Sequence, residues 1–191
     1  MKTNTTPNLL IDLLEKLFQF QYLLFKTKQR ILLLVVFLFC GFSISAQTPA
    51  IKEVKSFLTD LKSRDQTSKS TSSSAQNLED LLYKLQPSVY FNSGTPKTYG
   101  ENPINLFTNI SSLNRIANAN FSKDNIEIVT IKIDKPSDLN TTIDLSLFES
   151  LEKLKYIYIL SNVPTTEQGI NRLISNNNDT YGLFYQIQVG E

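Results

Sequence analysis

Between residues 147 and 160 the spacing of apolar side chains changes from helical to alternating. Leu147, Phe148, Leu151 and Leu154 put one face of a turn or short helix against a core. Ile157 and Ile159 then point one way and Tyr156, Tyr158 and Leu160 the other, which is the period of a strand. β-branched and aromatic residues favour that state. Both faces are apolar or aromatic, so this strand is predicted to lie centrally and to be covered on each side.

The same reading predicts strands over 126–133 and 181–189 and a short edge strand at Val89, Tyr90 and Phe91. A helix is predicted where Leu78, Leu81, Leu82 and Leu85 share a face ahead of Pro87, with Asn77 and Asp80 as a weak capping box. Another is predicted over 104–118, where Ile104, Phe107, Ile110, Leu113 and Ile116 recur every third residue. A third follows Thr165, Thr166 and Glu167, with Ile170, Leu173 and Ile174 inward. Residues 92–103 hold Gly94, Pro96, Gly100 and Pro103 and read as a loop, with Lys97 and Tyr99 its candidate functional side chains. Helices or turns thus link parallel strands, which defines an α/β fold.

Upstream of residue 77 the pattern breaks into pieces. Residues 47–61 form a short amphipathic helix with Ile51, Val54, Leu58 and Leu61 on one face, and it needs a partner surface to be stable. Residues 62–76 carry eight Ser and Thr and no large apolar side chain, the composition of a solvated linker. The folded domain is predicted to span 77–191.

Residues 26–46 read as a secretory signal peptide. Lys26, Lys28 and Arg30 precede an unbroken apolar run over 31–39, and Ser45-Ala46 offers a cleavage point before Gln47. The mature protein is then exported, to the periplasm or outside the cell. The alternative is a signal anchor holding the chain in the inner membrane through residues 31–44, although a span needs about 20 residues. Residues 1–25 are rich in Leu and Phe and are either a membrane-lying helix or an extension upstream of the true start.

Leu154, Ile157, Ile159 and Asn162 fit the strand segment of a leucine-rich repeat. Twenty-eight residues earlier stand Ile126, Val129, Ile131 and Asp134; twenty-eight later stand Gly182, Tyr185, Ile187 and Gly190. The segment 126–190 therefore resembles a degenerate leucine-rich-repeat unit of about three turns with N-terminal helices, the alternative being an ordinary βαβαβ unit. Asp134 lacks the amide donors of the family's asparagine, and Gly190 lacks the side chain altogether, which interrupts the asparagine ladder.

The resemblance implies three stacked rows: Ile128, Tyr156 and Phe184; Thr130, Tyr158 and Gln186; Lys132, Leu160 and Gln188. It also implies a partner bound on that strand face, with Thr130, Lys132, Tyr156, Tyr158, Phe184 and Gln186 as contact residues. Tyrosines with polar neighbours have the composition of a protein interface. The competing arrangement is a helix, such as 77–85, lying over the same rows as core.

Composition narrows the chemistry. The chain has no histidine, which removes Ser-His-Asp and Cys-His catalysis and histidine-ligated metals. Its one cysteine, Cys40, lies in the leader, so the mature chain has neither thiol chemistry nor a disulfide. From Gln47 onward 14 Lys and Arg stand against 16 Asp and Glu, a net charge of −2 with no basic run, which argues against nucleic acid. The six glycines are scattered and form no phosphate loop. Asp134, Asp138, Asp144 and Glu149 could pair for hydrolysis or hold calcium, or could simply cap turns. No cofactor is implied. The expectation is an exported, non-enzymatic module that binds a protein partner. The alternatives are a secreted carbohydrate-binding or carboxylate-dependent hydrolytic domain, or a membrane-tethered envelope component.

Overall fold

A computed structural model describes residues 13–27, 51–67, 73–92, 94–177 and 180–189. The chain divides into two compact units, Met1–Gln47 and Thr48–Glu191, and each is described by itself.

In the first unit residues 13–27 form helix α1, with every side chain exposed. Thr27 closes it, its hydroxyl donating to the carbonyls of Leu23 and Leu24 at 3.1 and 2.9 Å. The signal-like run 31–44 and the cleavage point at Ala46 lie outside the described residues. Among the described residues no helix is long and apolar enough to cross a membrane.

The second unit is mixed α/β. Its elements are β1 (Lys52–Glu53), α2 (Val54–Thr67), α3 (Ser74–Tyr83), β2 (Ser88–Asn92), β3 (Thr95–Tyr99), β4 (Asn105–Asn109), β5 (Ile128–Ile133), β6 (Ile143–Asp144), β7 (Tyr156–Ser161), α4 (Glu167–Leu173), β8 (Ile174–Ser175) and β9 (Gly182–Ile187). The described residues form a seven-stranded sheet in the order β1-β9-β7-β5-β4-β2-β3. Every pair is parallel except the β2–β3 hairpin at one edge. After the β2–β3 hairpin the chain reverses to the other side of β2, and from β4 through β5 and β7 to β9 each strand of this sheet is laid beside the one before it.

Ser88 lies beside Asn105, Asn105 beside Ile128, Ile128 beside Tyr156, and Tyr156 beside Gly182. The offsets are 17, 23, 28 and 26 residues. The step of 28 thus holds between β5 and β7, and the next step is two residues shorter. That shifts the last row: Phe184 stands beside Tyr158 rather than Tyr156, and Gln186 beside Leu160 rather than Tyr158. A slip of two leaves every side chain on its original face, because the strand period is two. In the observed register Leu183 sits opposite Ile157, a better apolar match than the Tyr185 that a constant step would put there.

One face of the sheet packs on the returning connections. Val129, Ile131, Ile133, Ile157, Ile159 and Leu183 meet Ile143, Leu145, Phe148, Leu151, Ile170 and Leu173 in one buried layer. Burying an isoleucine in such a layer contributes roughly 1.5–3 kcal/mol. The connections are 3₁₀ turns (Ile110–Arg115, Pro136–Asn140, Leu145–Phe148), α4, and the small parallel pair β6–β8. Thr166 caps α4, its hydroxyl accepting from Gly169 N at 3.1 Å.

Four sequence expectations are corrected. The helix over 104–118 is strand β4 followed by a 3₁₀ helix, and the three-residue spacing of Ile110, Leu113 and Ile116 is the repeat of a 3₁₀ helix rather than an α-helix. The loop over 92–103 contains strand β3, folded back on β2 through Gly94, whose φ of +93° suits glycine. Pro96 is tolerated because β3 is the sheet's edge. The linker over 62–76 is mostly helical: α2 runs to Thr67 and α3 begins at Ser74, leaving 68–72 outside the described residues. Asp65 ties the helices together by accepting from Ser73 Oγ at 2.7 Å and Ala75 N at 2.8 Å, and these bonds, the Ala75 amide first, hold its carboxyl below the usual range. Finally, the compact unit starts near Thr48, not at Asn77, because β1 pairs with β9 and α2 packs on the sheet.

Candidate functional site

The second face of the sheet carries the rows in which contact residues are expected. Tyr99, Ser88, Asn105, Ile128, Tyr156 and Gly182 form the row at the N-terminal ends of the parallel strands. Lys97, Tyr90, Phe107, Thr130, Tyr158 and Phe184 form the middle row, and Thr95, Asn92, Asn109, Lys132, Leu160 and Gln186 the last.

Helices α2 and α3 lie over one part of this face. Val54 and Leu58 of α2 and Leu78 and Leu81 of α3 form a second core with Ile128, Tyr156, Tyr158 and Phe184. Phe57 stacks on Phe184 at 4.9 Å and meets Tyr156 edge-on at 6.4 Å. Gly182 permits that approach, since a Cβ there would stand 2.8 Å from Tyr156 Cδ1 and 2.9 Å from Phe57 Cζ. Asn105 Nδ2 donates to the Leu81 carbonyl at 3.2 Å and fixes the end of α3 to β4.

The six expected contact residues therefore divide. Tyr156, Tyr158, Phe184 and Thr130 are buried, at 8, 9, 0 and 5 % exposure. Lys132 and Gln186, in the last row, are half-buried. Of the two arrangements the sequence allows, the covering helix is the one found here, and it involves α2 as well as α3. The expectation of an open face at Tyr156, Tyr158 and Phe184 is corrected accordingly.

The uncovered part lies toward β2, β3 and β4. Tyr90 stacks on Phe107 with centroids 4.7 Å apart and planes 12° apart, and Tyr99 meets Tyr90 edge-on at 5.5 Å and 89°. Tyr90 and Tyr99 are 39 and 59 % exposed, and Lys97, Asn92 and Thr95 beside them are exposed. Sequence reasoning singled out Lys97 and Tyr99 but missed Tyr90 and Phe107. The signal was the alternation Leu106-Phe107-Thr108, hidden by the stronger three-residue recurrence.

Beyond the ends of β5 and β7, exposed side chains are bonded across the 28-residue step. Asn162 Nδ2 donates to Asp134 Oδ1 at 2.8 Å, Lys155 pairs with Glu127 at 2.8 Å, and Lys153 Nζ donates to Asn125 Oδ1 at 2.7 Å. Asp134 cannot donate as an asparagine would, but it accepts, so a rung forms after all. Asp138 and Asp144 are also engaged. Asp138 accepts from Asp134 N and Lys135 N at 3.1 and 3.0 Å. Asp144 accepts from Asn176 Nδ2 and from Ser146 N and Oγ, and these bonds, Asn176 first, lower its pKa. Among the described residues no group of three or more His, Cys, Asp or Glu is placed to hold a metal ion.

The Tyr158 hydroxyl donates to Gln186 Oε1 at 2.5 Å, across the same step. Burial, helped by Tyr83 and Glu53, pushes its phenol up to about 12, and burial raises Tyr156 and Tyr185 in the same direction. A tyrosine in the unfolded chain ionises near pH 10. Between roughly pH 10 and 12 the unfolded chain therefore releases protons the folded chain keeps, and stability present below about pH 10 is lost as pH rises. Urea midpoints are expected to fall most steeply in that window. Tyr158→Phe, with no phenolic proton to lose, is expected to flatten the fall.

No protein-family model matches the chain, and comparison with curated proteins and with solved structures returns no match.

Proposed function

We propose that this chain is an exported, non-enzymatic binding module built on a leucine-rich-repeat-like sheet, whose ligand contacts the uncovered part of the strand face. The observation that carries this reading is the exposed pair Tyr90 and Tyr99, packed on half-buried Phe107, beside polar Lys97, Asn92 and Thr95. Aromatic side chains kept at a surface among hydrogen-bonding neighbours are enriched where proteins bind. The repeat-like character is supported by the successive parallel addition of β4, β5, β7 and β9, the 28-residue offset between β5 and β7, and the side-chain rungs that follow it. Export is supported by the charge and apolar pattern of residues 26–46. The non-enzymatic reading rests on the missing histidine and on Asp134, Asp138 and Asp144 being already hydrogen-bonded within the chain.

The test is photo-crosslinking in the cell, with a photoreactive phenylalanine analogue placed at Tyr99 or at Tyr158 of the full chain. Adducts from position 99 and none to other molecules from position 158 support the uncovered surface. Adducts from 158 alone, or from neither, overturn it. N-terminal sequencing of the isolated protein, expected to begin at Gln47, decides export; a product retaining residues 1–46 marks a membrane-tethered component instead.

A further inference from the structure

Where α3 ends, the chain turns into β2 and leaves a cleft of about 510 Å³ lined by Leu85, Gln86, Ser88, Tyr90 and Tyr99. That volume lies in the range of small-ligand sites, roughly 300–1,000 Å³. The lining contains no charged side chain. Leu85 is fully exposed at its rim, and the Tyr90 and Tyr99 rings stand at right angles to each other, 5.5 Å apart.

The hydrogen-bonding groups around the cleft are neutral and only partly engaged. Gln86 Nε2 is committed to the Asp80 carbonyl at 3.2 Å, and the Ser88 hydroxyl donates to the Gln86 carbonyl at 2.7 Å. Asn105, beside Ser88 on the same face, is 5 % exposed and spends its amide nitrogen on Leu81, while its Oδ1 is buried without a hydrogen-bond partner. One N–H of each amide and the Ser88 hydroxyl proton are used, which leaves the second N–H and the oxygen of Gln86, the Ser88 oxygen and the phenols of Tyr90 and Tyr99 as neutral groups for a ligand to pair with. A buried acceptor with no donor calls for an ordered water or a ligand group to complete it.

We infer that this cleft takes a neutral glycan. The inference rests on the reading of the chain as a binding module and names its ligand class. A sugar supplies hydroxyl donors in number, has an apolar C–H face that can lie against an aromatic ring, and carries no charge to desolvate. An anion would find no cationic side chain among the lining residues. An extended peptide would gain most by adding to the free edge of β3, where Pro96 removes a donor and Lys97 adds a charge. One ring of the glycan stacks on exposed Tyr99, with Tyr90 closing the corner. Its hydroxyls pair with Gln86 and Ser88.

The probes are cellohexaose and chitohexaose, which differ in the N-acetyl group, titrated by saturation-transfer NMR into protein purified from cells expressing the full chain. At least one is expected to bind saturably. Tyr99→Ala is expected to weaken it about tenfold or more, and Tyr99→Phe to keep it within about twofold. Tyr99 is exposed enough that both variants fold, as circular dichroism will verify. Lack of saturable binding by both sugars up to about 10 mM, or equal binding by wild type and Tyr99→Ala, overturns the glycan assignment. If position 99 crosslinks to a protein while neither sugar binds, the ligand class falls and the binding module stands. If a probe is bound and cleaved, the site stands and the non-enzymatic reading falls.

Discussion

Phe184→Ala is expected to lower the free energy of unfolding by about 3–5 kcal/mol, the usual cost of emptying a buried aromatic site. Phe184 is 0 % exposed and lies between Phe57 of α2 at 4.9 Å and Tyr158 of β7 at 5.2 Å, stacked on both. The ring holds a helix to a sheet, so its removal leaves a gap between two separately braced layers. Backbone hydrogen bonds hold β9 in place on one side, and α2 is fixed on the other by Val54 and Leu58. Neither layer can collapse fully into the space, which puts the cost toward the upper end of the range. Each lost aromatic pairing adds roughly 0.5–1.5 kcal/mol beyond the buried area. Phe57→Ala, at a half-buried position, is expected to cost less. Urea unfolding with unchanged slope and a lower midpoint checks this, and the melting temperature is expected to drop by roughly 10–15 °C. A loss below about 1 kcal/mol would mean that α2 does not seal β9.

The parts of this architecture that could be read in the sequence are those in which local preference and tertiary role agree. Val129, Ile131 and Ile133, and Ile157 and Ile159, alternate among β-branched and aromatic neighbours, so β5 and β7 are legible at once. The 28-residue step between them is legible for the same reason. β4 is not, because Phe107 of the strand and Ile110 and Leu113 of the following 3₁₀ helix fall into a single three-residue rhythm across the junction. β3 is hidden by Pro96 and its flanking glycines, which signal a turn and are admitted here by the edge position. The shorter last step cannot be seen because Gly182 and Gly190 blur the motif where its register should be fixed.

The candidate site was half legible for a related reason. Side-chain alternation shows that Tyr156, Tyr158 and Phe184 share one face of the sheet, but no local pattern states what lies over that face. The clue was upstream: Val54 and Leu58 form an apolar stripe that needs a partner, and the strand face was a partner in need of cover. Serine-rich composition between the two helices suggested separation. The helices instead stay close through their shared core, the Lys62–Glu79 pair at 2.6 Å, and Asp65, which is bonded to the start of α3.

A fragment starting at Asn77, the boundary that composition suggests, is expected to lose cooperative folding or to self-associate, whereas one starting at Thr48 stays monomeric. The cut removes β1 and α2, together with the Ser73 cap and buried Ala75 of α3. Val54 and Leu58 alone contribute roughly 1.5–3 kcal/mol each, a large share of the 5–15 kcal/mol that stabilises a typical domain. Loss of β1 also strips the partner from β9 and leaves an open strand edge beside newly bared Tyr156, Tyr158 and Phe184. Size-exclusion chromatography across a dilution series and binding of an apolar dye separate the outcomes. A monomeric 77–191 fragment as stable as the 48–191 fragment would refute the packing of α2 on the sheet. The choice of fragment also decides what a binding experiment means. The shorter piece presents an aromatic face that the intact chain keeps under α2, so partners captured by it would report the cut rather than the molecule. A ligand of the intact chain has to engage what α2 and α3 leave open, and that surface is built around Tyr90, Tyr99 and Phe107.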